Sequence, residues 1–337
     1  MKKSLLALAV LGAFAGAASA QTNVTVYGVV DVGISRVNDG TDTTWGLTSG
    51  QQSGSRLGFK GSEDLGGGLS AIFALESGFN ADNGTLGQST AGDYSAAGNR
   101  LFGRQAFVGL QGGFGAVKFG RQYTPMFNAL DSIDPFGTGL AGDMASFFNP
   151  YDVRMDNAVN YTLPNVAGFN GEVAYGFGER AGSTSENRQL GLRVGYANGP
   201  ITAVLAYHNA KNAADTGSDK TTFLGAAYDL NVVKVHGAVA LNKGDYATPG
   251  TEDKYRDYML GVSAPVGGAG TVMASWQRAD DRNSDAKEDL LALGYSHKLS
   301  KRTNLYTSFG YGKQDDGVAG TSDVKTKVFN AGVRHTF

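Results

Sequence analysis

Residues 190–208 read LGLRVGYANGPITAVLAYH, and the period of that stretch decides the fold. Leu190, Leu192, Val194 and Tyr196 alternate with Gly191, Arg193 and Gly195. After Asn198-Gly199-Pro200 the beat resumes, with Ile201, Ala203, Leu205 and Tyr207 on one side and Thr202, Val204, Ala206 and His208 on the other. A period of two puts the two sets on opposite faces of a strand, and the Asn-Gly-Pro step supplies a tight turn. The same alternation runs through 233–241, 258–264, 291–296 and 305–311. No long helical period appears, and after residue 20 no apolar stretch approaches the ~20 residues of a membrane-crossing helix.

Two architectures fit alternating strands: a water-soluble sandwich with the apolar set inward, and a membrane barrel with it outward. Three features favour the barrel. The strand segments run about 8–12 residues, the length a tilted strand needs to cross a bilayer. Short turns (198–200, 229–231) alternate with longer polar loops (211–220, 243–256, 313–325). The outward set carries aromatics at its ends: Phe169, Tyr175, Phe177, Tyr196, Tyr207, Tyr228, Tyr258, Tyr295 and Tyr311. Such aromatics form the interfacial girdles of membrane barrels.

Strand segments are expected near 22–37, 53–62, 68–79, 101–110, 116–123, 156–163, 169–178 and 187–197, then near 200–209, 220–229, 232–242, 256–265, 270–279, 287–297, 302–312 and 325–337. That makes sixteen, an even number that lets the sheet close with both termini on the short-turn side. Closure is obligatory, because hydrocarbon offers no partner to an open edge. A barrel of this size holds water, and glycines of the inner set (Gly191, Gly195, Gly225, Gly261) suggest a lumen not filled by side chains.

Composition agrees. The 337 residues include 50 glycines, 7 prolines and no cysteine, so neither a disulfide scaffold nor thiolate metal sites are available. The formal charge of −2 gives no basic excess for nucleic acid. Residues 1–20 have the form of a signal peptide: Lys2 and Lys3, an apolar run, and Ala18-Ser19-Ala20 as a small-residue cleavage site. The mature chain is expected at 21–337, as one barrel domain outside the cytoplasm. Its 27 basic against 31 acidic residues leave −4. Residues of about 124–155 break the alternation for some thirty positions. Long unstructured connections are uncommon and usually functional. This one carries Phe127, Leu130, Ile133, Phe136, Leu140, Phe147 and Phe148, so it is expected to shelter inside the barrel.

Enzymatic signatures are missing: no G-x-S-x-G, H-E-x-x-H or P-loop occurs, and Asp39-Gly40-Thr41-Asp42 lacks the register of a calcium loop. No cofactor is expected. An outer-membrane hydrolase and a plugged structural or adhesin barrel are the alternatives to a channel. His208 and His236 are expected to be solvated lumen residues.

Several stretches carry a family resemblance: VTVYGVVDVG, SRLGFKGSEDLGGGL, RQAFVGL, GAVKFGRQYTP and the terminal FNAGVRHTF. In this order, and over essentially the whole chain, the sequence resembles the Gram-negative general-diffusion porins, nearest to their beta-proteobacterial branch. The resemblance implies a 16-stranded antiparallel transmembrane β-barrel and an inward-folded third loop. It also implies a homotrimer in outer-membrane lipid, placed by the insertion machinery, that passes small hydrophilic solutes and ions. It further implies a constriction with basic wall residues against acidic loop residues. Carried over, the basic positions are Arg56, Lys60, Arg104 and Arg154, and the acidic loop positions are Asp134 with Asp131 and Asp143. Parity independently turns Arg56 and Lys60 away from Leu57 and Phe59. Many relatives carry Pro-Glu-Phe-Gly-Gly where this chain has Pro135-Phe136-Gly137-Thr138-Gly139, which weakens the acidic half and predicts weak anion preference. Arg121, together with Gly103, Gln105 and Gly109, is expected on the outward, trimer-contact face, under a neighbour's 80–100 loop. Phe337 is the expected assembly signal.

Overall fold

The computed structural model describes residues 23–88, 100–148, 151–245, 250, 252–318 and 320–337. The signal peptide lies outside the described residues, as does most of the 80–100 loop. The strands are β1 (Asn23–Asn38), β2 (Thr43–Ser49), β3 (Arg56–Gly66), β4 (Leu69–Gly78), β5 (Gln105–Gly112) and β6 (Gly115–Tyr123). After a long connection follow β7 (Arg154–Thr162), β8 (Phe169–Gly176), β9 (Gln189–Asn198), β10 (Ile201–Lys211), β11 (Ser218–Asp229) and β12 (Lys234–Gly244). The last are β13 (Asp253–Val266), β14 (Gly270–Asp281), β15 (Lys287–Lys298), β16 (Thr303–Asp315) and β17 (Val324–Thr336).

Every strand pairs antiparallel with its neighbours, and β1 pairs with β17 to close the sheet. The far half of β1 pairs with β2 and the near half with β3. β2 and β3 are thus successive parts of one wall position, and the barrel has sixteen. The expected strand set is present, with one addition: β2, followed by an excursion of residues 50–55. Closure is completed by Phe337, whose backbone N–H and C=O both pair with Gly28 at 3.1 Å, while its ring lies against the Gly28 Cα.

Apolar side chains face out. Leu205, Leu224, Leu241 and Leu260 are exposed, whereas Val204, Ala206, Phe223, Ala240 and Met259 on the opposite face are buried. All nine girdle aromatics share the outward set and none is buried. One parity differs from expectation. On β5, Val108 and Leu110 are the exposed residues, so Gln105, opposite the buried Glu76, and Gly109 both point inward, and a side chain at Gly109 would strike Lys118 and the Val117 carbonyl. The run AFVGL is apolar at adjacent positions, so period alone did not fix its face.

The long connection contains helix α1 (Pro125–Ile133), a 3-10 turn (Leu140–Gly142) and helix α2 (Met144–Phe147). Thr124 caps α1 by accepting from Phe127 N–H, and Pro125 occupies the first turn, where its missing N–H costs nothing. Met126, Ala129, Leu130 and Ile133 pack on Val204, Ala206, Phe223, Ala240 and Met259, the face opposite the exposed leucines. In a closed barrel that face is the inner one. Burial of each large side chain contributes about 1.5–3 kcal/mol.

The wall makes room for this segment with glycine. Side chains at Gly191, Gly225, Gly261, Gly294 and Gly310 would come to 2.7–3.1 Å of Pro125, Ile133, Pro135, Phe136 and Ala141. Gly191, Gly225 and Gly261 therefore seat the loop and do not mark empty lumen, whereas Gly195 lies against the wall side chains of Asn170 and Arg193. The histidines differ likewise from expectation. His208 and His236 are buried beneath α1, not solvated. His236 donates from Nδ1 to the Ile133 carbonyl at 2.7 Å, leaving Nε2 to accept from the Ser263 hydroxyl at 3.1 Å.

Candidate functional site

An opening of about 430 Å³ is left between the loop and the wall that the loop does not cover. Arg56, Arg104, Tyr123 and Arg154 line one side, and Asn128, Asp131, Gly137 and Thr138 of the loop line the other. Each arginine is positioned by local chain geometry. Arg56 opens β3 directly after the 50–55 excursion. Its Nε donates to the Gly54 carbonyl at 2.8 Å and its Nη2 to the Ser53 hydroxyl at 2.5 Å, so both partners are neutral.

Arg104 directly precedes β5. Its Nε pairs with Glu76 Oε1 at 2.9 Å, and its Nη2 donates to the Tyr123 hydroxyl at 2.6 Å. Arg154 opens β7, donates from Nε to the Arg104 carbonyl at 3.0 Å, and reaches the Tyr123 hydroxyl from Nη2 at 3.2 Å. The β6–β7 register slips between Gly120 and Gln122, and beyond the slip Tyr123 stands opposite Arg154. The Tyr123 ring lies 4.6 Å from the Arg154 guanidinium and 6.0 Å from that of Arg104, a cation–π arrangement. Glu76, buried in the wall, also accepts from the Tyr27 hydroxyl at 2.8 Å.

On the loop side, one of the three expected carboxylates reaches the opening. Asp131 is exposed and accepts from the Thr138 hydroxyl at 3.0 Å. Asp134 is buried and turned into the loop. It accepts from the N–H groups of Phe136 (2.9 Å), Thr138 (3.0 Å) and Met144 (2.9 Å). Burial raises its pKa to about 7, with Asp143 adding to the rise and the N–H donors opposing it. Asp143 caps α2, accepting from Ala145 N–H at 2.8 Å and the Ser146 hydroxyl at 2.6 Å. Both carboxylates organise turns, as short acidic side chains commonly do. Lys60 lies four residues along β3 from Arg56 and away from the opening, with Nζ 5.2 Å from the Tyr27 ring.

Arg121 finds its partners within its own chain: Nη1 pairs with Asp156 at 2.5 Å and Nε donates to the Gly103 carbonyl at 2.8 Å. No neighbour's loop is required to satisfy it. Sequence reasoning missed Glu76 and Tyr123. Glu76 was within reach, because Ala74, Glu76 and Gly78 share a face opposite Phe73 and Leu75. Tyr123 was not, since the register slip reverses its face. Among the described residues no group of three His, Asp or Glu side chains is placed to hold a metal ion.

A closed sixteen-position barrel with an apolar belt and a lumen narrowed beside a cluster of arginines defines a membrane channel. The model of the Gram-negative porin family matches residues 7–317, and the chain belongs to that family, whose members are outer-membrane channels and not enzymes. It is 38% identical over its full length to the whole of an outer membrane porin protein of Bordetella pertussis. It is also 38% identical to outer membrane porin protein 32 of Delftia acidovorans, over 98% of this chain and 95% of that one. Among solved structures, an anion-selective porin from Comamonas acidovorans superposes with a TM-score of 0.82 at 32% identity, covering 94% of this chain and all of the other.

Proposed function

We propose that this porin is a passive, weakly anion-preferring channel whose selectivity is set where Arg56, Arg104 and Arg154 face Asp131. The carrying observation is the charge count at the opening. Three guanidiniums stand against the carboxylates of Asp131 and Glu76, an excess of about one positive charge among the groups at the opening, because Asp134 and Asp143 are turned into the loop, where burial favours their neutral forms. Small hydrophilic solutes pass by size, and the transverse field orients water and solute dipoles so that apolar solutes are disfavoured. Lys60 adds positive charge along the approach to the opening. The similar porin from Comamonas acidovorans is described as anion-selective, which supports the same sign here. The test is the zero-current potential of the reconstituted protein in a dilute potassium chloride gradient. A sign set by chloride supports the reading, and one set by potassium rejects it.

Residues 1–20 act as the signal peptide and 21–337 form the barrel domain. Phe337, exposed at the barrel seam, is read by the outer-membrane insertion machinery. The barrel sits in outer-membrane lipid as a homotrimer, as the family resemblance implies, with Arg121 and its Asp156 partner near the contact between copies. Light scattering in mild detergent should give the mass of three chains, and the mass of one would reject the trimer.

A further inference from the structure

Residues 50–55 interrupt the wall between β2 and β3, and one buried carboxylate holds that interruption. Asp31, on the inner face of β1, has no solvent exposure. Its Oδ2 accepts from the backbone N–H groups of Gln52 at 3.0 Å and Ser53 at 2.7 Å, and its Oδ1 accepts from the Tyr306 hydroxyl at 2.5 Å. Its backbone takes part as well. The carbonyl accepts from Gly50 N–H at 2.9 Å and the Ser55 hydroxyl at 3.1 Å, and the N–H donates to the Ser55 hydroxyl at 3.0 Å.

The excursion passes this constraint to the opening along two routes. Ser53 and Gly54 hold the Arg56 guanidinium through a hydroxyl and a carbonyl. Gln51 accepts at its carbonyl from Leu140 N–H at 2.6 Å, fixing the tip of the long loop. Leu140 sits at φ +59°, a left-handed conformation that costs a side-chain-bearing residue free energy and persists only where surroundings enforce it. Gly139 packs directly on the Gln52 carbonyl, leaving no room for a side chain.

We propose that Asp31 and Tyr306 are positioning residues for ion selectivity. Through the 50–55 excursion they set both the Arg56 guanidinium and the loop tip that faces it. A charged group with no access to solutes thereby controls where the accessible charge stands. This rests on the reading that Arg56 contributes to anion preference, and a four-member cycle separates the two claims. Zero-current potentials are measured for the wild type, Arg56→Gln, Tyr306→Phe and the double variant. Tyr306→Phe keeps the ring and removes only the hydroxyl that anchors Asp31.

Displacing one unit charge by a few ångströms is expected to lower the anion-over-cation ratio about 1.5-fold in the Arg56 background. The ratio should not change when Arg56 is already glutamine. If Arg56→Gln leaves the potential unmoved, the selectivity reading fails and the inference with it. If Arg56→Gln moves the potential but Tyr306→Phe does not, or moves it equally in both backgrounds, the positioning role alone is rejected. Asp31→Asn, which keeps one acceptor oxygen, serves as the second probe should Tyr306→Phe fail to assemble. It is held to the same criterion, since a general loss of stability would not depend on the residue at 56.

Discussion

Arg56→Gln isolates the selectivity mechanism with the least structural damage, because the Arg56 partners are the neutral Ser53 hydroxyl and Gly54 carbonyl. Its removal takes the excess at the opening from about one positive charge to about zero. At about 8 Å in water-like dielectric a unit charge is worth about 0.5 kcal/mol. The sign is opposite for an anion and a cation, so both contribute to the permeability ratio. At 0.01 M salt, where the screening length is about 30 Å, the wild-type ratio is expected near fourfold in favour of anions. At physiological salt, with a screening length of about 8 Å, it falls to about twofold. Arg56→Gln should bring both values close to one. Planar-bilayer zero-current potentials over a fixed gradient ratio, repeated at several absolute concentrations, provide the assay. A variant that keeps the wild-type ratio at 0.01 M would refute the reasoning, as would a wild-type preference that does not weaken with added salt.

Other perturbations follow from particular contacts. Arg104→Gln leaves Glu76 buried without its cation, and loss of one partner of such a pair costs about 3 kcal/mol. Thermal unfolding in detergent should show the loss, and Glu76→Gln in the same chain should recover much of it. Gly261→Val forces a side chain into Pro135, and overpacking of this kind costs about 1–3 kcal/mol. The displaced loop should change single-channel conductance, and an unaltered conductance would contradict the seating of the loop on wall glycines. Deletion of Phe337 removes the two backbone bonds to Gly28 and the proposed insertion signal. Outer-membrane levels should drop while export continues, and normal levels would reject the role.

The wall was legible because lipid outside and water inside impose a strict period of two. The alternation in 190–208 reads directly onto β9 and β10, and the even strand count follows from closure. What escaped the sequence reading lies where that period fails. Over residues 43–55, TTWGLTSGQQSGS, the outward period is carried by Trp45 and Leu47 alone, too short a run to mark β2 as a strand, and no alternation marks the excursion after it. Asp31 had inward parity within VTVYGVVDVG, but its many partners come from positions 49–55 and 306, which only folding brings together. The loop's apolar character showed that it must be sheltered, yet not that glycines of the facing strands would receive it. The carboxylates were the least legible group. Asp131, Asp134 and Asp143 look alike in sequence, and only the backbone geometry separates the exposed one from the two that organise turns.

Liposome swelling tests most directly whether the lumen is open to water. Vesicles carrying the purified protein are placed in isotonic solutions of uncharged sugars of increasing size. Rapid swelling with the smallest sugars, slowing steeply as the solute approaches the width of the opening beside Arg56 and Asp131, is the predicted result. Vesicles that swell no faster than protein-free controls with the smallest sugar would contradict it.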